Sequence, residues 1–377
     1  MYNILKLNSI APLVNDILKS GYTLSSDSKN PEAILVRSAA MHDYVVPETL
    51  LAVARAGAGY NNIPFEDYAK RGIVVFNTPG ANANGVKELV IASLFLASRK
   101  LKPAMAWADG LQGTEGVAAA VEKGKSQFVG PEILGKTIGI LGLGAIGKLV
   151  AEAAYALGMK VVGYDPFISP ATKDALAGKV VIATSLDAVY AASDYLTLHM
   201  PLNDETKRMI NADAIAKLHD GAVIVNAARG ALVDVDAVKA ALASGKLSAY
   251  VTDFPDETTV GADGIICIPH LGASTPEAED NCAIMAANQI KDYLENGNIL
   301  NSVNLPNLTV ARTASRRLSV IGTENIVSLI SNIPGAKGAK GQVSSKGGYF
   351  VHILDFDGEI DIKTIKAIPG VIRARIL

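Results

Sequence analysis

Short apolar stretches recur along the chain, each followed by turn residues and then by a segment with helical apolar spacing. The rhythm is plainest from residue 137 onward. Thr137–Leu141 (TIGIL) reads as a strand, 146–157 (IGKLVAEAAYAL) as an amphipathic helix, Gly158 as its stop and Lys160–Tyr164 (KVVGY) as the next strand. VVIA (180–183), YLTLH (195–199), AVIVN (222–226), SAYVT (248–252) and IICI (265–268) continue the series, with Ser185, Asn211 and Asp234 at helix N-cap positions. Strands that are apolar throughout and alternate with helices imply a parallel sheet covered on both faces. The first hundred residues repeat the pattern through NILKL (3–7), AILVR (33–37), LAVARA (51–56) and IVVF (73–76), punctuated by Gly21, Pro47, Gly57-Ala-Gly59 and Gly72. Two α/β domains are therefore expected.

A long helix is expected after His270. Ser274 and Glu277 match a capping box, Pro276 suits a first turn, and Ala278, Cys282, Met285, Ala286 and Ile290 form one apolar face. The stretch 305–315 (LPNLTVARTAS) reads as a linker. RLSVIG, a helix near 324–332, a Gly/Lys/Ser-rich turn region, YFVHILDF, the short helix IKTIKAI and VIRARIL then suggest a small α+β domain in βαββαβ order. The expected division is 1–84 with 273–305, 85–272, and 314–377.

Composition narrows the function classes. The 377 residues are 49% hydrophobic and 19% charged, with 35 Lys plus Arg against 37 Asp plus Glu. No basic excess points to nucleic acid and no apolar run reaches a membrane span of ~18 residues. The N-terminus reads as a first strand rather than a signal peptide. The two cysteines, Cys267 and Cys282, have no metal-ligand spacing and fit a reducing, cytoplasmic setting. No metal site is expected.

Gly142-Leu-Gly144-Ala145-Ile146-Gly147 follows the TIGIL strand and opens a helix. In that context the first glycine makes the turn, the second admits a pyrophosphate and the third lets helix pack on sheet, while the helix N-terminus attracts the phosphates. Asp165 ends the next strand at about the 20-residue spacing of a ribose-binding acid. Its charge opposes a 2′-phosphate, so NAD is expected over NADP.

Five histidines are candidates for proton transfer. His42, His219 and His352 lie on helix- or strand-like segments without convergent polar partners. His199 and His270 end strands on the side where open α/β sheets hold ligands. His270 adjoins the capped helix and follows an acid-rich stretch, Asp253-Phe-Pro-Asp-Glu257, that can supply a carboxylate to fix its tautomer and hold its proton. Arg229, before Gly230 at another strand end, suits a carboxylate clamp. On the residues alone, His270 is equally readable as a packed structural histidine and Arg229 as a surface arginine.

Taken together the motifs resemble the D-isomer-specific 2-hydroxyacid dehydrogenases over nearly the whole chain. The resemblance is carried by VRSA (36–39), RAGAGYNNI (55–63), FNTPGANANGVKEL (76–89), GKTIGILGLGAIG (135–147), LHMPL (198–202), NAARGALVD (226–234), FPDE (254–257) and IPHLGAST (268–275). It implies two doubly wound parallel-sheet domains of Rossmann and flavodoxin type, plus a ferredoxin-like ACT domain at the C-terminus. It implies NAD-dependent oxidation of 3-phospho-D-glycerate to 3-phosphohydroxypyruvate, the first step of serine biosynthesis. In that reading His270 is the general acid/base, Glu257 its carboxylate partner and Arg229 the carboxylate clamp. Arg37, Ser38, Ala58, Gly59 and Asn82 join Arg229 and His270 in holding substrate. His199, Pro201, Ala227, Arg229, Asp253, His270 and Gly272 join the glycine turn and Asp165 in holding NAD. An amino-acid effector at the ACT-like domain and a homodimer or higher homo-oligomer are also implied, without nucleic acid or membrane partners. The alternatives are a glyoxylate or hydroxypyruvate reductase, or a non-catalytic NAD(H)-sensing protein. The chain departs from the family pattern in three places. The usual Asp-Val-Phe is Thr252-Asp253-Phe254, which shifts the acid by one. Lys123-Gly-Lys125-Ser-Gln-Phe128 replaces Arg-x-Gly-x-Trp. Thr323-Glu-Asn325-Ile-Val lacks the usual Pro-Gly, leaving Asn325 as the candidate effector ligand.

Overall fold

The computed structural model describes residues 1–333, 335, 336 and 339–377; Pro334, Lys337 and Gly338, in the Gly/Lys/Ser-rich stretch, lie outside the described residues. The chain divides into two units, Met1–Asn82 with Pro276–Leu377, and Ala83–Thr275.

In the first unit, five parallel strands stand in the order Tyr22–Ser25, Tyr2–Leu7, Ala33–Val36, Ala52–Arg55, Val74–Phe76. The Ala33–Val36 strand is buried at every position because it has a neighbour on each side and cover on each face. Tyr22–Ser25 was not anticipated; it is a half-exposed edge strand whose polar side chains hide the signal. The helix Pro276–Asn296 lays Cys282, Ala283, Ala286, Ala287, Ile290, Tyr293 and Leu294 against the apolar core that includes Ile4, Leu35, Ala54 and Phe76. Small residues dominate that face and let the helix approach the sheet closely.

The same unit carries a four-stranded antiparallel sheet ordered Lys340–Lys346, Tyr349–Phe356, Arg316–Gly322, Val371–Ile376. With helices Val327–Ser331 and Ile362–Lys366 this is the ferredoxin-like path. Lys340–Lys346 (KGQVSSK) is a strand rather than the expected turn; it sits at the sheet edge, where lysine and serine are well tolerated.

The second unit holds seven parallel strands in the order Ile265–Cys267, Leu247–Thr252, Ala222–Asn226, Tyr195–Leu198, Thr137–Leu141, Lys160–Tyr164, Val181–Ile182. The order reverses between Thr137–Leu141 and Tyr195–Leu198, the point at which doubly wound sheets bind dinucleotides. Helices Ala83–Ser98, Leu101–Asp109 and Val117–Gly124 precede it. No helix among the described residues is long and apolar enough to cross a membrane.

Candidate active site

The glycine turn lies at the reversal of strand order. Gly142 has φ +91°, open to glycine at little cost, and a Cβ there would sit 2.6 Å from the His199 carbonyl oxygen. A Cβ on Gly147 would lie 1.9 Å from the Gly142 carbonyl oxygen, so this position fixes how closely the helix meets the turn. Gly144 caps the twelve-residue helix Ala145–Ala156 and has open space where a Cβ would project. That is the face a pyrophosphate would approach, under the free N–H groups of the helix end. Asp165 accepts the Leu143 N–H at 2.9 Å and the Phe167 N–H at 2.8 Å, which fixes the carboxylate beside the turn while each oxygen keeps a lone pair for a ribose hydroxyl. These residues fit a dinucleotide.

His199 is held by its neighbour: Nε2 lies 3.0 Å from the Thr197 hydroxyl and Nδ1 is buried without a hydrogen-bond partner among the described residues. Burial pushes its pKa down to about 3, so the ring is a weak base at neutral pH. Pro201 follows in the exposed turn after it, and Ala227 is half-buried beyond the Ala222–Asn226 strand.

His270 lies beyond the Ile265–Cys267 strand. Its backbone is left-handed, φ +47°, and its N–H donates to the carbonyl oxygens of Asp253 and Ile268, each at 3.0 Å. The imidazole is exposed and packs on the Phe254 ring, centroid to centroid 4.8 Å. Phe254 backs in turn onto Gly230, where a Cβ would meet its Cβ at 3.2 Å. Arg229 precedes that glycine, exposed, in a turn braced by buried Asn226: the Asn226 amide donates to the Arg229 carbonyl at 2.9 Å and accepts the Ala228 N–H at 3.1 Å. Asp253 is buried, and the charges of both His270 and Arg229 reach it. Burial nonetheless pushes its carboxyl above the usual range, against those charges and the Gly272 N–H. Asp253, Phe254, Gly230 and His270 line one cavity of about 670 Å³.

Residues 91–272 match the D-isomer specific 2-hydroxyacid dehydrogenase NAD-binding domain. Residues 91–272 are therefore an NAD-binding domain of the D-isomer specific 2-hydroxyacid dehydrogenase type. The domain's cofactor is NAD. Among curated relatives, D-3-phosphoglycerate dehydrogenase from Archaeoglobus fulgidus is 36% identical over 290 residues, 74% of this chain and 52% of that protein. The chain thus spans about half the length of the curated relatives it matches. Among solved structures, NAD⁺-bound 3-phosphoglycerate dehydrogenase from Entamoeba histolytica is 28% identical with a TM-score of 0.63, over 80% of this chain and 98% of that one. A glyoxylate reductase from Paecilomyes thermophila is 26% identical with a TM-score of 0.65, over 80% and 98%.

Among the residues the family resemblance singled out in the second unit, His270, Arg229, Asp253 and Gly272 cluster. Gly272 abuts Asp253, whose Oδ2 would lie 3.4 Å from a Cβ there. Glu257 lies in an exposed turn and makes no hydrogen bond or ion pair among the described residues. In the first unit, Ser38 is set by its N–H, which donates to Asn8 Oδ1 at 3.2 Å. The Ala58–Gly59 loop is set by Asn77, which donates to the Ala58 carbonyl at 2.7 Å. Asn82 keeps a buried Oδ1 without a hydrogen-bond partner among the described residues. Arg37 pairs with Glu279 at 2.6 Å, and Arg55 Nε donates to the Arg37 carbonyl at 3.0 Å, so two guanidinium groups share this corner. Phe254 and Arg55 were passed over in the sequence as site residues. The signal for Arg55 was its place just before the Gly57-Ala-Gly59 turn; nothing in spacing alone singled out the Phe254 ring.

Proposed function

We propose that the chain is an NAD-dependent D-2-hydroxyacid dehydrogenase that oxidises 3-phospho-D-glycerate to 3-phosphohydroxypyruvate, and so feeds serine biosynthesis. The observation that carries the reading is the grouping of an exposed imidazole, an exposed guanidinium and a buried carboxylate at neighbouring strand ends of an NAD-binding domain. Arg229 binds the substrate carboxylate through its two-pronged fork and orients C2. His270, neutral, takes the hydroxyl proton as C2 loses its hydride, and returns it in the reverse direction. Bound NAD supplies the hydride acceptor. By family position Glu257 is the acid paired with His270, and Arg37, Ser38, Ala58, Gly59 and Asn82 are the substrate-holding set of the first unit. Relatives named D-3-phosphoglycerate dehydrogenase support a phosphorylated substrate, as does the positive pair Arg37 and Arg55. Asn325, in the loop between Arg316–Gly322 and Val327–Ser331, would serve an amino-acid effector. A second reading, reduction of an unphosphorylated keto acid, is favoured by one observation: Glu279 already occupies Arg37. A panel of NAD(H)-linked rates on phosphoglycerate, phosphohydroxypyruvate, glycerate, hydroxypyruvate and glyoxylate decides between them. We expect kcat/KM to favour the phosphorylated pair at least tenfold. A preference for glyoxylate or hydroxypyruvate would overturn the substrate assignment, and no turnover on any of them would overturn the enzyme reading.

A further inference from the structure

In the first unit, the loop that carries Arg37 is fixed in its backbone, while its charged head is held only by an ion pair at the surface. The Arg37 carbonyl accepts from Arg55 Nε at 3.0 Å. Asn8 Oδ1 takes the next two N–H groups, those of Ser38 at 3.2 Å and Ala39 at 2.7 Å, and Asn62 donates to the Ala39 carbonyl at 2.8 Å. The path of residues 37–39 is thereby set, and the Arg37 side chain alone is left to change partner. Its Nη2 lies 2.6 Å from Glu279 Oε1, with 36% and 42% of the two side chains exposed. Arg55 turns its own guanidinium over the adjoining loop, where a Cβ on Gly57 would lie 1.8 Å from Nη1. Buried Cys282, one helical turn beyond Glu279, feels the charges of Arg37, Arg55 and Glu279, which places all three around one point. The three sum to one positive charge. Glu279 is poorly placed to be a permanent partner. An exposed ion pair contributes little stability, and this one lacks the forked hydrogen bonds that buried Arg317 and Asp355 make in the same unit. Glu279 also lies in the first turn of the Pro276–Asn296 helix, whose dipole compensates its charge when Arg37 lets go.

We propose that Glu279 is a displaceable stand-in anion: it holds Arg37 until the phosphate of the substrate takes its place, and so sets how strongly phosphorylated acids are preferred over unphosphorylated ones. The assignment rests on the reading of the substrate as a phosphorylated 2-hydroxy acid and deepens it. Glu279 acts through Arg37 and touches no reacting atom, so it governs specificity and takes no part in the chemistry. The pair that occupies Arg37 is then the resting form of the phosphate subsite, and a phosphate wins the exchange because it carries more charge than a carboxylate and can meet the guanidinium fork with two oxygens.

The test uses the full-length protein with NAD saturating, so that the glycine turn is filled. Inorganic phosphate is titrated into wild type, Glu279→Gln, Arg37→Gln and the double variant, and its affinity is read from the rise in melting temperature. Glu279→Gln keeps the shape and removes the charge. It should bind phosphate about fivefold more tightly, the value of an exposed ion pair that no longer has to be broken. Arg37→Gln should bind at least about tenfold more weakly, and adding Glu279→Gln to it should gain less than about twofold, because the carboxylate acts through the guanidinium. In turnover, the ratio of kcat/KM for phosphoglycerate to that for glycerate should rise about fivefold in Glu279→Gln, through KM rather than kcat. Phosphate affinity in Glu279→Gln no higher than in wild type, or an equal gain with Arg37 absent, overturns the proposal. Because Glu279 is exposed, its variant folds and decides the matter even where the Arg37 variants do not. A panel that favours unphosphorylated acids would remove the substrate reading, whereas the phosphate titration reports separately on whether Glu279 guards an anion site at Arg37.

Discussion

His270 occupies a backbone conformation that few non-glycine residues adopt, at a cost of order 1–3 kcal/mol, and it is held there by its N–H bonds to Asp253 and Ile268. Such strain is maintained only where the surroundings enforce it, and here it swings the imidazole out over Phe254 into the cavity. A histidine needed only for packing would gain nothing from exposure. His199 cannot take its place, since burial has already made that ring too weak a base. We therefore expect His270→Ala to lower kcat by about 10²–10⁴-fold, the usual contribution of general acid/base catalysis, while the affinity for NADH measured by fluorescence titration changes only a few-fold. A kcat within a few-fold of wild type would take His270 out of the chemistry. His270→Asn, which tolerates the left-handed region better than alanine, should match the wild-type melting temperature and still lack activity.

The elements that hold the site show why spacing made part of it readable. Glycines at 142, 144 and 147 were recognisable because the motif asks for a left-handed turn, an open phosphate-facing position and a close helix-to-turn contact, and glycine suits each. The three positions differ in what a side chain would meet, and this makes their roles testable. Gly147→Ala would drive a methyl to 1.9 Å from the Gly142 carbonyl, so it should both destabilise the protein and abolish NADH binding. Gly144→Ala meets nothing within 4 Å and has φ −70°, ψ −157°, so its melting temperature should stay near wild type while NADH affinity drops at least tenfold. Equal loss of stability in both variants would contradict the assignment of Gly144 to the phosphate face. The central strands were legible because burial on two faces writes an unbroken apolar run, as in Ala222–Asn226. Tyr22–Ser25 and Lys340–Lys346 were not, because edge strands keep polar side chains. Leu101–Asp109 and Val117–Gly124 bury no residue, so they leave no apolar stripe to find. In the site, strand ends located His270 and Arg229. Spacing could not say which acid of Asp253, Asp256 and Glu257 turns inward, because that depends on how the chain leaves its strand at Thr252.

At the scale of the folded unit, the C-terminal sheet is fastened to the first domain by arginines. Arg375 donates to the Tyr293 carbonyl at 2.8 Å and stacks over that ring at 4.3 Å, and Arg373 donates to the Arg71 carbonyl at 3.2 Å. Ile321 and Val351 from the sheet join the core of the first domain. The deepest tie is Arg317, fully buried, whose guanidinium meets Asp355 twice, at 2.6 and 2.9 Å, and donates also to the carbonyls of Asn296 and Val310. One side chain thus joins the end of the long helix, the linker and the sheet. Asp355 accepts from Thr313 as well, so the pair is hydrogen-bonded on several sides. Burial alone would raise the Asp355 pKa, but the bonds from Arg317 and Thr313 outweigh it and hold the group below its ordinary value. Removing one partner strands the other charge, so Arg317→Met should cost about 3–5 kcal/mol in denaturant unfolding, and Arg317→Met combined with Asp355→Leu should cost less than the single change. The sign with pH follows from the lowered folded-state value. The stability that Asp355 contributes is present above the unfolded-state pKa of about 3.9 and is lost as pH falls through the folded value. The gap between wild type and Asp355→Asn should therefore be full at pH 7 and shrink only below about pH 4. A gap that instead closed between pH 7 and 5 would mean that a histidine, not this carboxylate, governs the joint.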